Sequence, residues 1–271
     1  MASDQDDLTL RYEFKLGGEP GSPPNSIAQD PEAVAPQPDD LISFLTEPEL
    51  APLMPAPQRA ARYMPDWFKQ LEREMGMPDP NGLPGLTVKA CLPVTDVFTL
   101  GWILPLPFDV RILVPEDRVN IQMGWAPDVP FQPVEQHHPG QIGAPNAPFE
   151  RAMPLKFMNP WRIRVPEGYS VLFTPPFNHF QLPFTCFSGL VDCDRFAAKV
   201  NLPFAWTGAP GDYTLPAGMP LAQMVPIKRD TLLPRDEARV SNAAELAEQG
   251  QATYRKHNEE SVYRREWREK K

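Results

Sequence analysis

Asn159-Pro160-Trp161-Arg162-Ile163-Arg164-Val165-Pro166-Glu167-Gly168-Tyr169-Ser170-Val171-Leu172-Phe173-Thr174-Pro175-Pro176 opens the stretch that decides the fold. It continues through Ser188-Gly189-Leu190-Val191-Asp192-Cys193-Asp194 and Leu215-Pro216-Ala217-Gly218-Met219-Pro220-Leu221-Ala222-Gln223-Met224-Val225-Pro226-Ile227, and ends at Asp230. Short apolar runs punctuated by Pro and Gly read as strands and turns. Proline fixes φ and removes a backbone donor, so it sits at strand ends and edges. Glycine accepts the left-handed conformations of tight turns. Strands are expected near residues 161–165, 170–174, 184–187, 199–206, 213–215 and 221–226. The implied fold class is mainly β, an antiparallel barrel or sandwich of which a β-clip-like fold is one form.

Upstream, the same punctuation predicts strands at 86–94, 99–104, 109–114 and 119–123. Before them, Asp66 is placed to cap a short helix carrying Trp67, Phe68, Leu71 and Met75, with Gly76 and Pro78 as stop signals. Residues 126–154 hold seven prolines from Pro127 to Pro154, which predicts a long loop without regular pairing. At the N-terminus, Leu8 to Leu16 alternates apolar and polar side chains, the pattern of a strand with one buried face. Residues 17–40 are rich in Gly, Pro, Ser and acids and read as a flexible linker. Ser241 or Asn242 begins a C-terminal helix, with Gly250 as an interruption and Tyr254, Val262, Tyr263 and Trp267 as its apolar surface. The organisation expected is an acidic leader (1–50) with one strand, a β domain (51–231) and a helical tail (232–271). No internal repeat is detectable.

The 271-residue chain has 36 prolines and a formal charge of −9. Proline is far above its usual share of about 5%, which favours short strands over long helices. Eleven acids between Asp4 and Glu49, against Arg11 and Lys15, account for the whole net charge. An acidic leader on a neutral body lacks the clustered cations that nucleic-acid binding requires. The three cysteines, Cys91, Cys186 and Cys193, form no C-x-x-C pair, as expected of free thiols in a reducing compartment. No basic and apolar leader opens the chain, and the apolar run from Val97 to Phe108 is short of the ~20 residues a membrane span needs. The expected location is cytoplasmic, with neither nucleic acid nor membrane as partner.

The block from Asn159 onward, with Tyr63-Met64-Pro65-Asp66-Trp67 and Gly101-Trp102-Ile103-Leu104-Pro105, resembles a family of functionally uncharacterised proteins conserved in tailed phages and bacteria. The resemblance spans roughly residues 55–231 and includes Lys156-Phe157-Met158-Asn159-Pro160-Trp161, Phe173-Thr174-Pro175-Pro176 and Pro226-Ile227-Lys228-Arg229. It implies no established activity. At the level of segments, Ile163 to Pro175, Gly189-Leu190-Val191-Asp192 and Leu215 to Val225 are similar in order to the strands of deoxyuridine triphosphatase and deoxycytidine triphosphate deaminase folds. That likeness implies a role for the aspartate element in sugar recognition and water activation. Where those enzymes carry Arg-Ser for phosphate, this chain reads Pro175-Pro176, so architecture carries over more readily than chemistry.

The chemistry-bearing residues are few. Asp192 and Asp194 share a face if the strand continues through them, and two close carboxylates split their pKa values and can divide acid–base work. They are the candidate catalytic pair, with a turn at a strand end as the structural alternative. His138 and His179, with an aspartate such as Asp192, would suit a mononuclear iron or zinc site built from two histidines and a carboxylate. Asn159, Trp161 and Asn178 are the candidate ligand-binding residues. No Gly-x-Ser-x-Gly, dinucleotide glycine motif or phosphate-binding loop is present, which argues against those nucleophile and nucleotide chemistries.

Three functions are compatible with this pattern. The first is a soluble small-molecule enzyme or binding protein with its site between the 126–154 loop and the 178–194 turns. A second is a non-enzymatic assembly protein, a homo-oligomer joined through the N-terminal strand and the C-terminal helix. The third is a nucleotide-binding protein on a triphosphatase-like scaffold.

Overall fold

The computed structural model describes residues 38, 40–80, 82, 84–118, 120–143, 154–259 and 261–269. The strand expected at 8–16, nearly all of the linker after it, and residues 144–153 of the proline-rich loop lie outside these. In chain order the first eight strands are β1 (Ser43–Leu45), β2 (Gln58–Arg59), β3 (Glu74–Pro78), β4 (Pro84–Leu86), β5 (Trp102–Pro105), β6 (Val110–Val114), β7 (Gln122–Gly124) and β8 (Val134–Gln136). The next eight are β9 (Leu155–Phe157), β10 (Arg162–Arg164), β11 (Tyr169–Thr174), β12 (Phe184–Cys186), β13 (Gly189–Val191), β14 (Leu202–Trp206), β15 (Gly211–Leu215) and β16 (Pro220–Lys228). Three α-helices accompany them: α1 (Asp66–Gln70), α2 (Leu92–Thr99) and α3 (Ala243–Asn258).

The fold is mainly antiparallel β, sandwich-like, with five sheets and no closed barrel among the described residues. It divides into two compact units. One comprises Leu100–Asp230 with the described part of Met1–Tyr63, and the other Met64–Thr99 with Thr231–Lys271.

The larger unit holds four sheets: β13-β11-β16-β5-β2, β12-β14-β9-β8, β15-β6-β7 and β1-β10. In β6 and β14 burial alternates residue by residue, as expected where one face meets a core. Within the β12-β14-β9-β8 sheet, Phe157 stacks on Phe204 at 3.9 Å with Phe184 edge-on at 5.0 Å, all three in the core. Each such aromatic contributes about 1.5–3 kcal/mol by burial alone. The pairing of β11 with β16 sets Phe173 opposite Met224, both in the core. Gly101 marks the entry to β5: its φ is +71° and a Cβ would lie 2.0 Å from the Met224 carbonyl oxygen. Only glycine fits there, so β5 begins at Trp102.

In the smaller unit, Phe68 of α1 packs on Phe98 of α2 at 4.6 Å, with Trp67 edge-on to both. Asp66 is the first helical residue here, after Pro65 in the capping position, and the helix ends at Gln70. The chain then enters β3, paired with β4, where the sequence pointed to continued helix. Asn242 does cap α3: its side-chain oxygen accepts from Glu245 N at 3.0 Å, and the Glu245 carboxylate accepts from Asn242 N at 2.8 Å. Gly250 does not interrupt the helix. Beyond α3, Arg268 clamps the buried Asp96 of α2 with bonds of 2.6 and 3.1 Å.

Two further expectations are corrected. Residues 86–94 are not one strand: Thr87 caps a short 3-10 turn by accepting from Lys89 N, and α2 starts at Leu92. Pro93 lies in the first turn of that helix, where its missing N–H costs nothing. The proline loop is also not free of pairing, because Val134–Gln136 is clear of proline and ladders with β9. No described helix is long and apolar enough to cross a membrane.

Candidate functional site

Asp192 and Asp194 lie in the turn that leaves β13, and both reach Arg229, just past β16. Arg229 donates to both carboxylate oxygens of Asp194 at 3.1 and 2.5 Å, and the Gly168 N–H donates to one of them at 3.0 Å. The Asp194 side chain is only 3% exposed. Arg229 also donates to the Tyr169 carbonyl at 2.8 Å, and its own N–H to the Gly168 carbonyl at 2.9 Å. Asp192 is 60% exposed and accepts from the Ser170 hydroxyl at 2.6 Å and, more loosely, from Arg229 at 3.4 Å. The bond from Arg229 is the main cause that holds the Asp194 carboxyl below the usual carboxylate range, against an opposing effect of burial. Both Asp194 oxygens are occupied by donors, and the acid is ionised far below neutrality. A general base needs an accessible lone pair and a pKa nearer the working pH. The arrangement instead clasps the start of β11, the end of β13 and the end of β16. Between the two acids, the buried Cys193 thiol is pushed up to about 12, chiefly by burial, so it is no nucleophile.

Asn159 and Trp161 are brought together, and both are buried. The Asn159 amide accepts from Trp161 N at 2.8 Å and donates to Trp161 O at 2.7 Å, and its own N–H is held by the Asn201 side chain at 3.1 Å. Those bonds shape the turn that feeds Trp161 into the core. Asn178 has φ +59°, a left-handed position that asparagine tolerates, in the turn closed by His179 N to Pro176 O. That turn is anchored by Gln223, which accepts from Phe177 N at 3.0 Å and donates to Leu100 O at 2.5 Å. His138 is exposed and its Nδ1 accepts from Gly140 N at 3.1 Å. His179 is half-buried. Among the described residues no three His, Cys, Asp or Glu side chains gather into a group able to hold a metal.

Motif reasoning assigns no role to Arg162, yet its place is set by simple alternation. From Trp161 to Val165 the side chains take opposite faces in turn: Trp161, Ile163 and Val165 enter the core, so Arg162 and Arg164 point the other way. β1 pairs with β10 in a register that sets Leu45 opposite Arg162. There Arg162 lines an open depression of about 440 Å³ with Leu45, Thr46, Glu47, Ala197, Ala198 and Lys199. Its Nε is buried and has no hydrogen-bond partner among the described residues. Lys199 is differently placed, held on Glu47 by bonds of 2.6 and 2.8 Å. That bond is the main reason the Glu47 carboxyl sits below its ordinary range. The wall therefore carries two cations and one acid over an apolar floor. The signal was present in the sequence as Trp-Arg-Ile-Arg-Val, one apolar residue in two.

No protein-family model matches the chain, and no curated protein matches it. Among solved structures it is similar to one titled "EIAV dUTPase native", with a TM-score of 0.30 and 14% identity, covering 52% of this chain and 86% of that chain.

Proposed function

We propose that this chain is a small-molecule binding protein whose ligand carries a carboxylate or phosphate, taken up in the depression beneath Arg162. The observation that supports this is the Arg162 guanidinium, with a buried N–H that meets no acceptor among the described residues. A buried donor left unmatched costs about 1–3 kcal/mol, which an arriving acceptor on the same guanidinium offsets by drawing the side chain outward. Arginine presents a planar fork suited to two-point binding of such anions. Lys199, paired with Glu47, supplies a second cation that a ligand anion would share with that carboxylate, while Leu45, Ala197 and Ala198 offer contact to a short carbon skeleton. A volume of about 440 Å³ falls within the range of small-molecule sites, roughly 300–1,000 Å³.

The likeness to conserved phage and bacterial proteins brings no activity, so the reading rests on this wall. The segment-level likeness to deoxyuridine triphosphatases makes a deoxynucleotide one probe worth including. Thermal unfolding of the full chain with inorganic phosphate, citrate or dUMP is the test. A binder at a hundred times its Kd adds about 2.7 kcal/mol, and Arg162→Met, which keeps the apolar stem, abolishes the gain. Equal stabilisation of wild type and Arg162→Met, or no response to any of the three at millimolar concentration, overturns the proposal.

A further inference from the structure

The donors and acceptors on the wall of the depression beneath Arg162 limit the charge that it can take. Lys199 Nζ carries three protons, and two of them are committed to the Glu47 carboxylate at 2.6 and 2.8 Å. Both partners line the depression, so the pair brings no net charge to it. The Thr46 hydroxyl has a single proton, with Pro160 O at 2.9 Å and a Glu47 carboxylate oxygen at 3.2 Å in place to accept it. Arg164, the next cation on the outward face of β10, stands opposite Ser43 and does not line the depression. Among the described residues, Arg162 is therefore the cation of this wall whose charge no lining carboxylate neutralises.

We infer that the depression selects an oxyanion of single charge, a carboxylate or a phosphodiester, and that Glu47 is the residue that disfavours dianions. This rests on the anion-binding reading of the same wall. One negative charge spread over two oxygens meets the planar fork of Arg162, with the remaining Lys199 proton beside it. A second charge finds Lys199 only together with Glu47, and gains little from a pair whose charges cancel. It still loses water on entering a wall that includes Leu45, Ala197 and Ala198, a cost that grows with charge. The bond from Lys199 holds the Glu47 carboxyl below its ordinary range, so Glu47 keeps its charge near neutral pH and in mild acid. A ligand head group that can take up a proton is therefore bound more tightly in its protonated, singly charged form, and its apparent affinity rises as pH falls through its own pKa.

The test compares one head group in two charge states. Methyl phosphate loses its second proton near pH ~6, so it is mostly a monoanion at about pH 5.5 and a dianion at about pH 8. Dimethyl phosphate keeps one charge at both and controls for any change in the protein. In NMR titrations of the full chain, methyl phosphate is expected to bind roughly threefold or more tightly at the lower pH, the scale of one charge–charge interaction in a solvated site. Dimethyl phosphate binds equally at both, and Arg162→Met loses both ligands. Glu47→Gln keeps the shape of the wall, frees Lys199 for the second charge, and removes or reverses the preference of methyl phosphate for low pH. Binding of neither ligand to the wild type, or binding that Arg162→Met leaves intact, overturns the anion-binding reading and this inference with it. Binding of both ligands through Arg162, with methyl phosphate held as well or better at the higher pH, leaves the anion site standing and overturns the charge selection. So does a preference for low pH that survives Glu47→Gln.

Discussion

Replacing Asp194 by asparagine is the sharpest test of whether the paired aspartates hold the fold or perform chemistry. The substitution preserves shape and removes one charge, and it turns an acceptor toward Arg229 into an amide donor. Asp194 accepts three bonds, two of them from a guanidinium, with its side chain 3% exposed. Hydrogen bonds to charged groups contribute about 1.5–3 kcal/mol, and breaking a fully buried ion pair costs about 3–5 kcal/mol. Arg229 is 30% exposed and keeps Tyr169 O and Asp192, so water and those acceptors recover part of the loss. The expected cost is then about 2 kcal/mol. At about 2–4 °C per kcal/mol for a chain near this size, the thermal midpoint falls by roughly 4–8 °C.

The pH dependence separates this explanation from a mere packing defect. The folded carboxyl lies below its unfolded value of about 4. Its contribution is therefore fully present above that unfolded value and is lost as pH falls through the lower folded one. Urea unfolding at pH 7 should show the full gap between wild type and Asp194→Asn, and the gap should narrow as the pH falls below the unfolded value and close once it passes the lower folded one. A gap that is the same at pH 7 and pH 3 would refute the clasp, as would a variant within 0.5 kcal/mol of wild type at pH 7, where ~0.5 is the usual scatter of surface substitutions.

Two other outcomes rest on named contacts. Gly101→Ala should be among the most damaging single-methyl changes in the chain, because it combines a positive φ with a Cβ placed 2.0 Å from a backbone oxygen. The variant should unfold well below wild type or fail to accumulate, and normal urea stability would show that the turn adapts. Glu47→Gln frees Lys199 from its carboxylate, so phosphate or citrate titrated calorimetrically should bind more tightly than to wild type. Weaker binding would mean that Glu47 orients Lys199 for the ligand and does not compete with it.

Much of the larger unit is legible in the sequence because its strands are short, proline-bounded and alternate cleanly, as at Val110–Val114 and Leu202–Trp206. Residues 86–94 mislead because a short apolar run reads equally as strand or helix, and Pro93 reads as a strand boundary although it opens α2. The prolines of 126–154 read as one block, although a ladder needs only a few consecutive free donors, which Val134–Gln136 supplies. At the acids, spacing shows that Asp192 and Asp194 are neighbours. It cannot show Arg229, some thirty-five residues on, which reaches them only because β16 pairs antiparallel with β11 and ends beside its start.

Arg162 makes the opposite case, a residue inside the most informative stretch whose position is dictated by its neighbours. Side chains on a strand alternate strictly, so slipping the register of β10 by one would drive two arginines into the core and lift Trp161, Ile163 and Val165 out of it. Burial of those three side chains contributes several kcal/mol by area alone, far more than the ~1–3 kcal/mol that one unmatched guanidinium N–H costs. The core therefore decides the register, and the register places Arg162 at the depression with its Nε unmatched among the described residues. Strain accepted at one cation to keep three apolar side chains buried is what a ligand with the right charge can relieve.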